Sequence, residues 1–306
     1  MKKLTLDYIN ENAKNNPAEF VQLGEENYAK QITHVARTVE ERLHDSPIIL
    51  INGPSSSGKT TTSKRIQAQM ERDGVGCHTI SMDDYYLTRS SIRMPLDENG
   101  KEDLESPLCM DLPLLAEHLY KLTRGEEIQV PTYDFVTRSR TEEVNAFHLA
   151  KGEAVVIEGL HALNDEIVKP LGDLATGVYI SVASEVEISD DQILDGHDLR
   201  FVRRAIRDYN FRGSPMARTL NMWDSVKRGE RLYISPYRKN AQIHINSFMP
   251  YETCVLMNQL KDLFRPYERE AEQVGVLEVF ETMDQFEPID YEKWMPENSF
   301  LHEFIG

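Results

Sequence analysis

Glycines, serines and one lysine between residues 53 and 60 have the composition of a loop that binds phosphate. Gly53, Gly58, Lys59 and Thr60 fit the pattern G-x-x-x-x-G-K-[S/T], after an apolar run and before helix-forming sequence. Backbone N–H groups of this loop can converge on phosphate oxygens, aided by the positive end of the helix. Lys59 offers a charge to the β- and γ-phosphates, and Thr60 offers a hydroxyl to Mg²⁺. The residues expected to contact a nucleoside triphosphate are Gly53, Ser55, Ser56, Ser57, Gly58, Lys59, Thr60 and Thr61.

Two adjacent carboxylates, Asp83 and Asp84, follow the next apolar segment. In open α/β sheets, ligands bind beyond the carboxyl ends of the strands, where this pair is expected. A carboxylate there can accept the proton of an attacking hydroxyl or hold Mg²⁺ through water. The alternative is that one or both cap the turn that follows.

A third carboxylate, Glu158, ends the apolar run AVVIE and is followed at once by Gly159. An acid at a strand end beside a phosphate loop is suited to support Mg²⁺, although carboxylates at strand ends are common. The two acidic strand ends and the loop strengthen one another. We therefore expect the metal ligands to be Thr60, Asp83 and Glu158.

Arginines are concentrated in residues 200–239, which contain nine Arg and two Lys against three acids. Arg200, Arg203, Arg204 and Arg207 have the spacing that lines one helix face, and Arg212 follows. Such a face suits a lid that closes over a transferring phosphoryl group. The alternative is pairing with the many acidic residues of the chain.

The stretch VPTYDFVTRSR, residues 130–140, places Tyr133 and Phe135 close to Asp134 and Arg138. These side chains can stack on and hydrogen-bond a planar or polyhydroxyl substrate. A tyrosine and a phenylalanine near a strand end are more often part of the core, so the residues alone favour that interpretation.

Helical and strand patterns alternate along the 306 residues. The predicted helices are 18–44, 59–73, 111–125, 199–229 and 250–264, and the predicted strands are 47–52, 76–83, 153–159, 177–182 and 241–247. The alternation predicts an α/β fold of the P-loop NTPase type, a parallel sheet with helices on both faces. We divide the chain into a helical N-terminal lead (1–46), a P-loop domain (47–265) whose arginine-rich lid helices span about 199–229, and a docked C-terminal tail (266–306).

Composition narrows the class of protein. No apolar run approaches 18 residues, and the start lacks a signal-type segment, so we expect a cytoplasmic protein. The net charge of −17 argues against general binding of nucleic acid or anionic membrane. Three widely spaced cysteines without a C-x-x-C pair are expected to be reduced thiols.

These motifs, in this order, resemble the uridine kinase branch of the phosphoribulokinase and uridine kinase family, in its long bacterial form. The resemblance rests on GPSSSGKTT, ISMDDYY, VVIEGLHALN and RRAIRDYNFRG, runs from about Ile48 to Tyr251, and extends to the ending PENSFLHEFIG. It implies a kinase that uses Mg²⁺ and ATP, or GTP, and phosphorylates the 5′-hydroxyl of a uridine- or cytidine-like nucleoside. It also implies a homo-oligomer. Regulation through the extra N-terminal domain of many long-form relatives is not expected.

The resemblance assigns roles by position. Asp83 matches the general base, and Glu158 the acid that supports Mg²⁺. The charges that stabilise the transferring group are Lys59, Arg207 and Arg212, with Arg204 at the nucleotide. The residues matched to the acceptor are Asp84, Tyr86, Glu105, Tyr133 and Arg138, of which Glu105 stands where an Asp binds the ribose hydroxyls.

Three positions depart from the family pattern. Arg138 stands where the family has a His that recognises the pyrimidine base. Ser214 stands in place of a lid Arg, and Met222 in place of a Gln near the base. Two other functions therefore stay open. One is a kinase with a different alcohol as phosphate acceptor, such as a sugar phosphate or a pantothenate-like molecule. Arg138 would then bind the anionic group of that acceptor. The other is a nucleotide-binding sensor or switch without metabolite kinase activity, although the N-K-x-D motif of guanine readers is absent.

Overall fold

The computed structural model describes residues 4–306. The strands are β1 (Leu4–Thr5), β2 (Ile48–Asn52), β3 (Cys77–Ser81), β4 (Ile128–Asp134), β5 (Ser139–Phe147), β6 (Ala154–Gly159), β7 (Ala175–Ser181), β8 (Val186–Glu187), β9 (Ile193–Leu194) and β10 (Ile243–Asn246). The helices are α1 (Leu6–Asn15), α2 (Pro17–Glu40), α3 (Lys59–Arg72), α4 (Leu112–Thr123), α5 (Asp165–Leu171), α6 (Gly196–Arg212), α7 (Met216–Gly229), α8 (Glu252–Phe264), α9 (Glu268–Gln273), α10 (Leu277–Met283), α11 (Tyr291–Trp294) and α12 (His302–Ile305).

Five strands form one parallel sheet in the order β10-β7-β2-β6-β3. The phosphate-loop strand β2 lies in the centre, and β6 separates it from β3. The register pairs Asn52 with Gly159 and Ser81 with Glu158, so the carboxyl ends of these three strands are aligned. The predicted α/β fold with a parallel sheet is confirmed, and the aligned ends carry the loop and the acidic residues.

Alternate side chains of the central strand β2 enter two cores. Ile49 and Ile51 pack in one core with α2, α3, α6 and α8, whereas Ile48 and Leu50 pack in the other with α4 and α5. All four are at most 1% exposed. Burial of an isoleucine or leucine side chain contributes roughly 1.5–3 kcal/mol, and burial on both faces explains the unbroken apolar sequence of this strand.

The two ends of the chain pack on the sheet face that carries α3. Tyr28 of α2 and Phe300 of the tail are buried in the same core, with ring centroids 5.1 Å apart. The tail itself contains the short helices α9 to α12. The helix predicted over 18–44 is α2, and α1 before it was not predicted. The division of the chain at residues 46 and 265 stays a prediction.

The antiparallel hairpin of β4 and β5 was also not predicted. Most residues of β5 are exposed, and Pro131 lies beside a register shift in β4, so neither strand has a clean apolar alternation. The turn contains Arg138 with φ +56°, a left-handed conformation that non-glycine residues seldom adopt. Tyr133 lies in β4 just before the turn of this hairpin, and Arg138 lies in the turn itself, directly before β5.

The strand predicted over 76–83 is shorter in the structure. It ends at Ser81, and Met82–Tyr85 form a 3₁₀ turn in which the Ser81 hydroxyl accepts a hydrogen bond from the Asp83 N–H at 3.2 Å. The two aspartates therefore lie in the turn after the strand. Within residues 4–306, none of the helices combines the length and apolar character needed to cross a bilayer.

Candidate active site

Glycine determines the path of the phosphate loop at two positions. A Cβ at Gly53 would overlap the carbonyl oxygen of Ile180, so the loop could not lie as close to β7 with another residue there. Gly58 has φ +89°, and a Cβ on it would overlap the ring of Phe300. The glycines of the motif thus allow a tight turn and a close approach to neighbouring elements.

Two serine hydroxyls in the loop have no hydrogen-bond partner among the described residues. Ser56 and Ser57 are at most 2% exposed, and the Oγ atoms of both are unpaired. Buried polar groups nearly always have a partner, so these hydroxyls fit a ligand with acceptor oxygens. Lys59 donates from Nζ to the carbonyl oxygen of Pro54 at 3.1 Å, and two of its three donors remain for a ligand.

Two of the three predicted metal ligands, Thr60 and Glu158, are in contact at the end of β6, and Asp83 lies in the turn after the neighbouring strand β3. Thr60 Oγ1 is 3.4 Å from Glu158 Oε1, which also accepts a hydrogen bond from Ser81 Oγ at 3.2 Å. No cluster of three His, Cys, Asp or Glu side chains in residues 4–306 could hold a metal alone. A hydroxyl and one carboxylate fit Mg²⁺, which takes its other ligands from water and phosphate oxygens.

Asp83 is exposed in the turn directly after β3, next to the end of β6 that carries Glu158. Desolvation by the surrounding protein raises the pKa of its carboxyl group, whereas the charges of Lys59 and Arg212 lower it. Burial also raises the pKa of Glu158, again opposed by Lys59. Burial lowers the pKa of Lys59 itself, and the charges of Glu158 and Asp83 oppose that effect. The mutual charge effects indicate that the ammonium and the two carboxylates form one electrostatic group.

The rings of Tyr86, Tyr133 and Phe135 form a cluster next to Asp84, which we call the aromatic wall. The ring centroids of Tyr86, Tyr133 and Phe135 lie 5.0–5.9 Å apart, and 59% of Phe135 is exposed. The Tyr133 N–H points to Asp84 Oδ1 at 3.5 Å, the outer limit for a hydrogen bond. Exposed ring faces next to carboxylates can bind a ligand that has both a planar part and hydroxyl groups.

Glu105 is held at this site by residues that the sequence did not reveal. Asp103 is buried and accepts hydrogen bonds from Arg228 Nη1 at 2.7 Å, from Tyr233 Oη at 2.8 Å and from the Glu105 N–H at 3.3 Å. A Cβ on Gly229 would overlap Glu105. Burial raises the pKa of Glu105, and the charge of Arg204 opposes it.

His161, in the loop after β6, is a second residue that the sequence did not identify. It is 2% exposed, and its Nδ1 has no partner among the described residues. Burial lowers its pKa to about 4, so the ring is neutral at pH 7. The only available signal was its place three residues after Glu158 in the EGLHAL segment.

The arginines on one face of α6 fall into two groups that differ in their contacts, and Arg200 and Arg203 follow the alternative of pairing with acidic residues. Arg200 pairs with Glu230 at 2.6 Å, and the fully buried Arg203 pairs with Glu252 at 2.7 Å. The same two arginines donate to the carbonyl oxygens of Ser55 and Ser56, at 3.3 Å each. They support the backbone of the loop from behind, and their charges are compensated.

The remaining arginines of α6 surround one buried acid, Asp208, which the sequence also did not indicate. Its carboxylate lies 3.3 Å from Arg204, 2.7 Å from Arg207 and 3.7 Å from Arg212. Arg204 also donates to Ser55 Oγ at 2.8 Å. One carboxylate cannot neutralise three guanidinium groups, so net positive charge remains next to the loop.

Arg138 lies away from these contacts, exposed in the hairpin turn. It lines a cavity of about 550 Å³ together with Arg89, Ser90, Ile92, Met94, Glu102, Thr137 and Ser139. Arg89 pairs with Glu102. Two guanidinium groups therefore line the cavity. That of Arg89 is paired with Glu102, and that of Arg138 faces solvent.

The chain is similar to known proteins in sequence and in fold. The profile of the Phosphoribulokinase / Uridine kinase family matches residues 48–253. A uridine kinase of Staphylococcus haemolyticus is 30% identical over 202 residues, 66% of this chain and 87% of that protein. A uridine kinase of Haemophilus influenzae is 31% identical over 202 residues, 65% of this chain and 85% of that protein.

A solved structure from Silicibacter sp. TM1040, a kinase that its description assigns to a fructose transport system, covers 70% of this chain and 98% of that one. Its TM-score is 0.50 at 14% identity, a likeness that concerns the fold alone. The family match covers the phosphate loop, the acidic strand ends and the arginine helix described above. The chain therefore belongs to the phosphoribulokinase and uridine kinase family, and it is an ATP-dependent phosphotransferase.

Proposed function

We propose that this protein transfers the γ-phosphate of ATP to the 5′-hydroxyl of a nucleoside, with uridine or cytidine as the acceptor. The observation that carries the proposal is that Asp83 is exposed in the turn directly after β3, whose last residue pairs with Glu158, and that its charge interacts with that of Lys59. The relatives at about 30% identity are named uridine kinases, which supports a nucleoside as acceptor. GTP is the alternative donor.

In the proposed reaction, Asp83 accepts the proton of the attacking hydroxyl as the phosphoryl group is transferred. Its raised pKa makes it a stronger base than an ordinary aspartate. Lys59, Arg207 and Arg212 stabilise the negative charge on the transferring group. Positioning and electrostatics supply the acceleration, since no covalent enzyme intermediate is formed. Thr60 and Glu158 would hold Mg²⁺, which would supply positive charge to the phosphate groups of the nucleotide.

The acceptor lies between the aromatic wall and Glu105 in this proposal. Tyr133 and Phe135 stack on the base, Tyr86 closes the inner end of the pocket, and Glu105 accepts hydrogen bonds from the ribose hydroxyls. A planar ring attached to a polyhydroxyl ring satisfies both surfaces, as a nucleoside does.

One observation favours a different alcohol as acceptor. Arg138 is exposed in a cavity with Arg89, and no hydrogen bond or ion pair of the Arg138 side chain occurs among residues 4–306. An acceptor with a phosphate or carboxylate group, such as a sugar phosphate or a pantothenate-like acid, would pair with this guanidinium.

A turnover assay with ATP and Mg²⁺ tests both acceptors. The panel contains ribonucleosides and deoxynucleosides, sugar phosphates and pantothenate, and the Lys59→Ala variant is the blank. We expect Lys59-dependent phosphorylation of uridine or cytidine. Activity on an anionic acceptor with none on any nucleoside would replace the nucleoside by the second class. Arg138→Gln would then raise KM for that acceptor.

A further inference from the structure

The tail places a carboxylate on the nucleotide-binding loop. Glu303 of α12 accepts a hydrogen bond from the backbone N–H of Thr61 at 3.3 Å and a second from the Thr61 hydroxyl. Thr61 is the third residue of α3 and directly follows Gly58, Lys59 and Thr60 of the motif. The contact therefore joins the end of the chain to the phosphate-binding end of α3.

The Thr61 N–H is a group that a nucleotide would be expected to use. N–H groups in the first turn of a helix have no partner within the helix, and they attract anions. In phosphate loops, these N–H groups bind the α- and β-phosphates. Burial lowers the pKa of Lys59, and the charge of Glu303 opposes this effect together with those of Glu158 and Asp83. Glu303 thus interacts with two groups that a phosphate would interact with.

Buried aromatic residues hold Glu303 in this position. Phe300 and Phe304 are 0% exposed, and the guanidinium carbon of Arg203 lies 5.0 and 5.1 Å from their ring centroids. Asn210 of α6 donates to the carbonyl oxygen of Phe304 at 3.3 Å. The Glu303 side chain is only half-buried, so it can turn away from Thr61 into solvent.

We propose that Glu303 is an internal competitor of the nucleotide. Its carboxylate occupies a phosphate-binding N–H in the resting enzyme and must leave when a nucleoside triphosphate binds. The competition raises the apparent Kd for the nucleotide, because only the fraction of molecules with the N–H free can bind it. This inference rests on the nucleotide-binding role of residues 53–61 and is independent of which acceptor is phosphorylated.

The direct test measures the Kd of a non-hydrolysable ATP analogue with Mg²⁺ by calorimetry. Glu303→Gln keeps the size of the side chain and removes its charge. The variant therefore forms weaker hydrogen bonds with Thr61 and does not repel phosphate through a carboxylate. We expect the Kd to fall about tenfold, which corresponds to about 1.4 kcal/mol. Glu297→Gln is the matched control, since Glu297 is an exposed acid of the same tail, and its Kd should equal that of the unchanged protein.

An unchanged or higher Kd for Glu303→Gln would overturn the proposal. If Lys59→Ala still abolishes analogue binding in that case, the nucleotide-binding role of the loop stands and only the inference about Glu303 fails. The phosphorylation assay reports separately on the acceptor.

Hydrogen exchange of the unchanged protein supplies a second test that needs no variant. The amides of residues 302–306 bond mainly within the last turn of the tail, so release of Glu303 should increase their exchange when the analogue binds. Slower exchange with the analogue would mean that the tail closes over the nucleotide as part of its site. That result would overturn the competition.

Discussion

The Asp83 carboxylate lies among charges that act on it in opposite directions. Lys59 and Arg212 lower its pKa, whereas burial and Asp84 raise it. If it is the general base, Asp83→Asn should bind nucleotide with an unchanged Kd but lose about 10²- to 10⁴-fold in kcat. Single-turnover kinetics with the acceptor measure the loss. Asp84→Asn serves as the comparison, because its carboxylate faces the Tyr133 N–H and should affect acceptor KM more than kcat. Near-normal kcat in Asp83→Asn would contradict the base assignment.

His161 permits a prediction about stability. Its pKa is about 4 in the folded protein and about 6.5 in the unfolded chain, so the unfolded chain binds a proton first as the pH falls. The neutral ring therefore contributes stability that is fully present above about pH 6.5 and is lost progressively toward pH 4. His161→Gln should lack this loss, which amounts to about 3 kcal/mol. Urea unfolding of both proteins at pH 7 and pH 4.5 measures the difference. Equal pH dependence of the two would refute the assignment.

At the scale of elements, α6 combines loop support and charge presentation through the acid that it buries. Asp208→Asn would leave Arg204, Arg207 and Arg212 without a counter-charge. Removing one partner of a buried ion pair destabilises by about 3–5 kcal/mol. We also expect kcat to fall at least tenfold with little change in KM for the acceptor, because the arginines lose their positions. Asp224→Asn is the control, since Asp224 is an exposed acid that pairs with Lys227 at the surface. A stability loss with unchanged kcat would show that Asp208 has no part in positioning.

The elements differ in how well the sequence predicts them, for physical reasons. The strands of the parallel sheet are buried on both faces, so their apolar runs are visible, and the loop motif identifies the strand that carries it. The hairpin of β4 and β5 is mostly exposed and has no such run. Asp103 could not be identified from the sequence, because its partner Arg228 is distant in the chain. Asp208 has its arginine partners close in sequence, but the sequence does not show that its carboxylate is buried among them. The arginine spacing identified one helix face, but it did not show which of these arginines have an acidic partner of their own and which share Asp208.

At the scale of the whole molecule, net charge and local charge oppose each other. The chain carries −17 overall, so a nucleotide anion is repelled at long range. The loop, Lys59 and the arginines around Asp208 provide attraction at short range. Glu303 adds a negative charge within this positive region. Salt screens the long-range repulsion more than the buried contacts. Affinity for the nucleotide therefore depends mainly on the loop and on the position of the tail.

The shared core predicts that lead, sheet and tail unfold together. Buried residues of α2, the sheet and the tail form one apolar cluster, so no end of the chain has a core of its own. The two tryptophans report on separate parts, Trp223 on α7 and Trp294 on α11 of the tail. Single-tryptophan variants, Trp223→Phe and Trp294→Phe, should therefore give coincident urea midpoints by fluorescence, each equal to its own midpoint by circular dichroism. An earlier transition for the variant that retains Trp294 would contradict this prediction, because the tail would then be a unit that unfolds separately from the sheet.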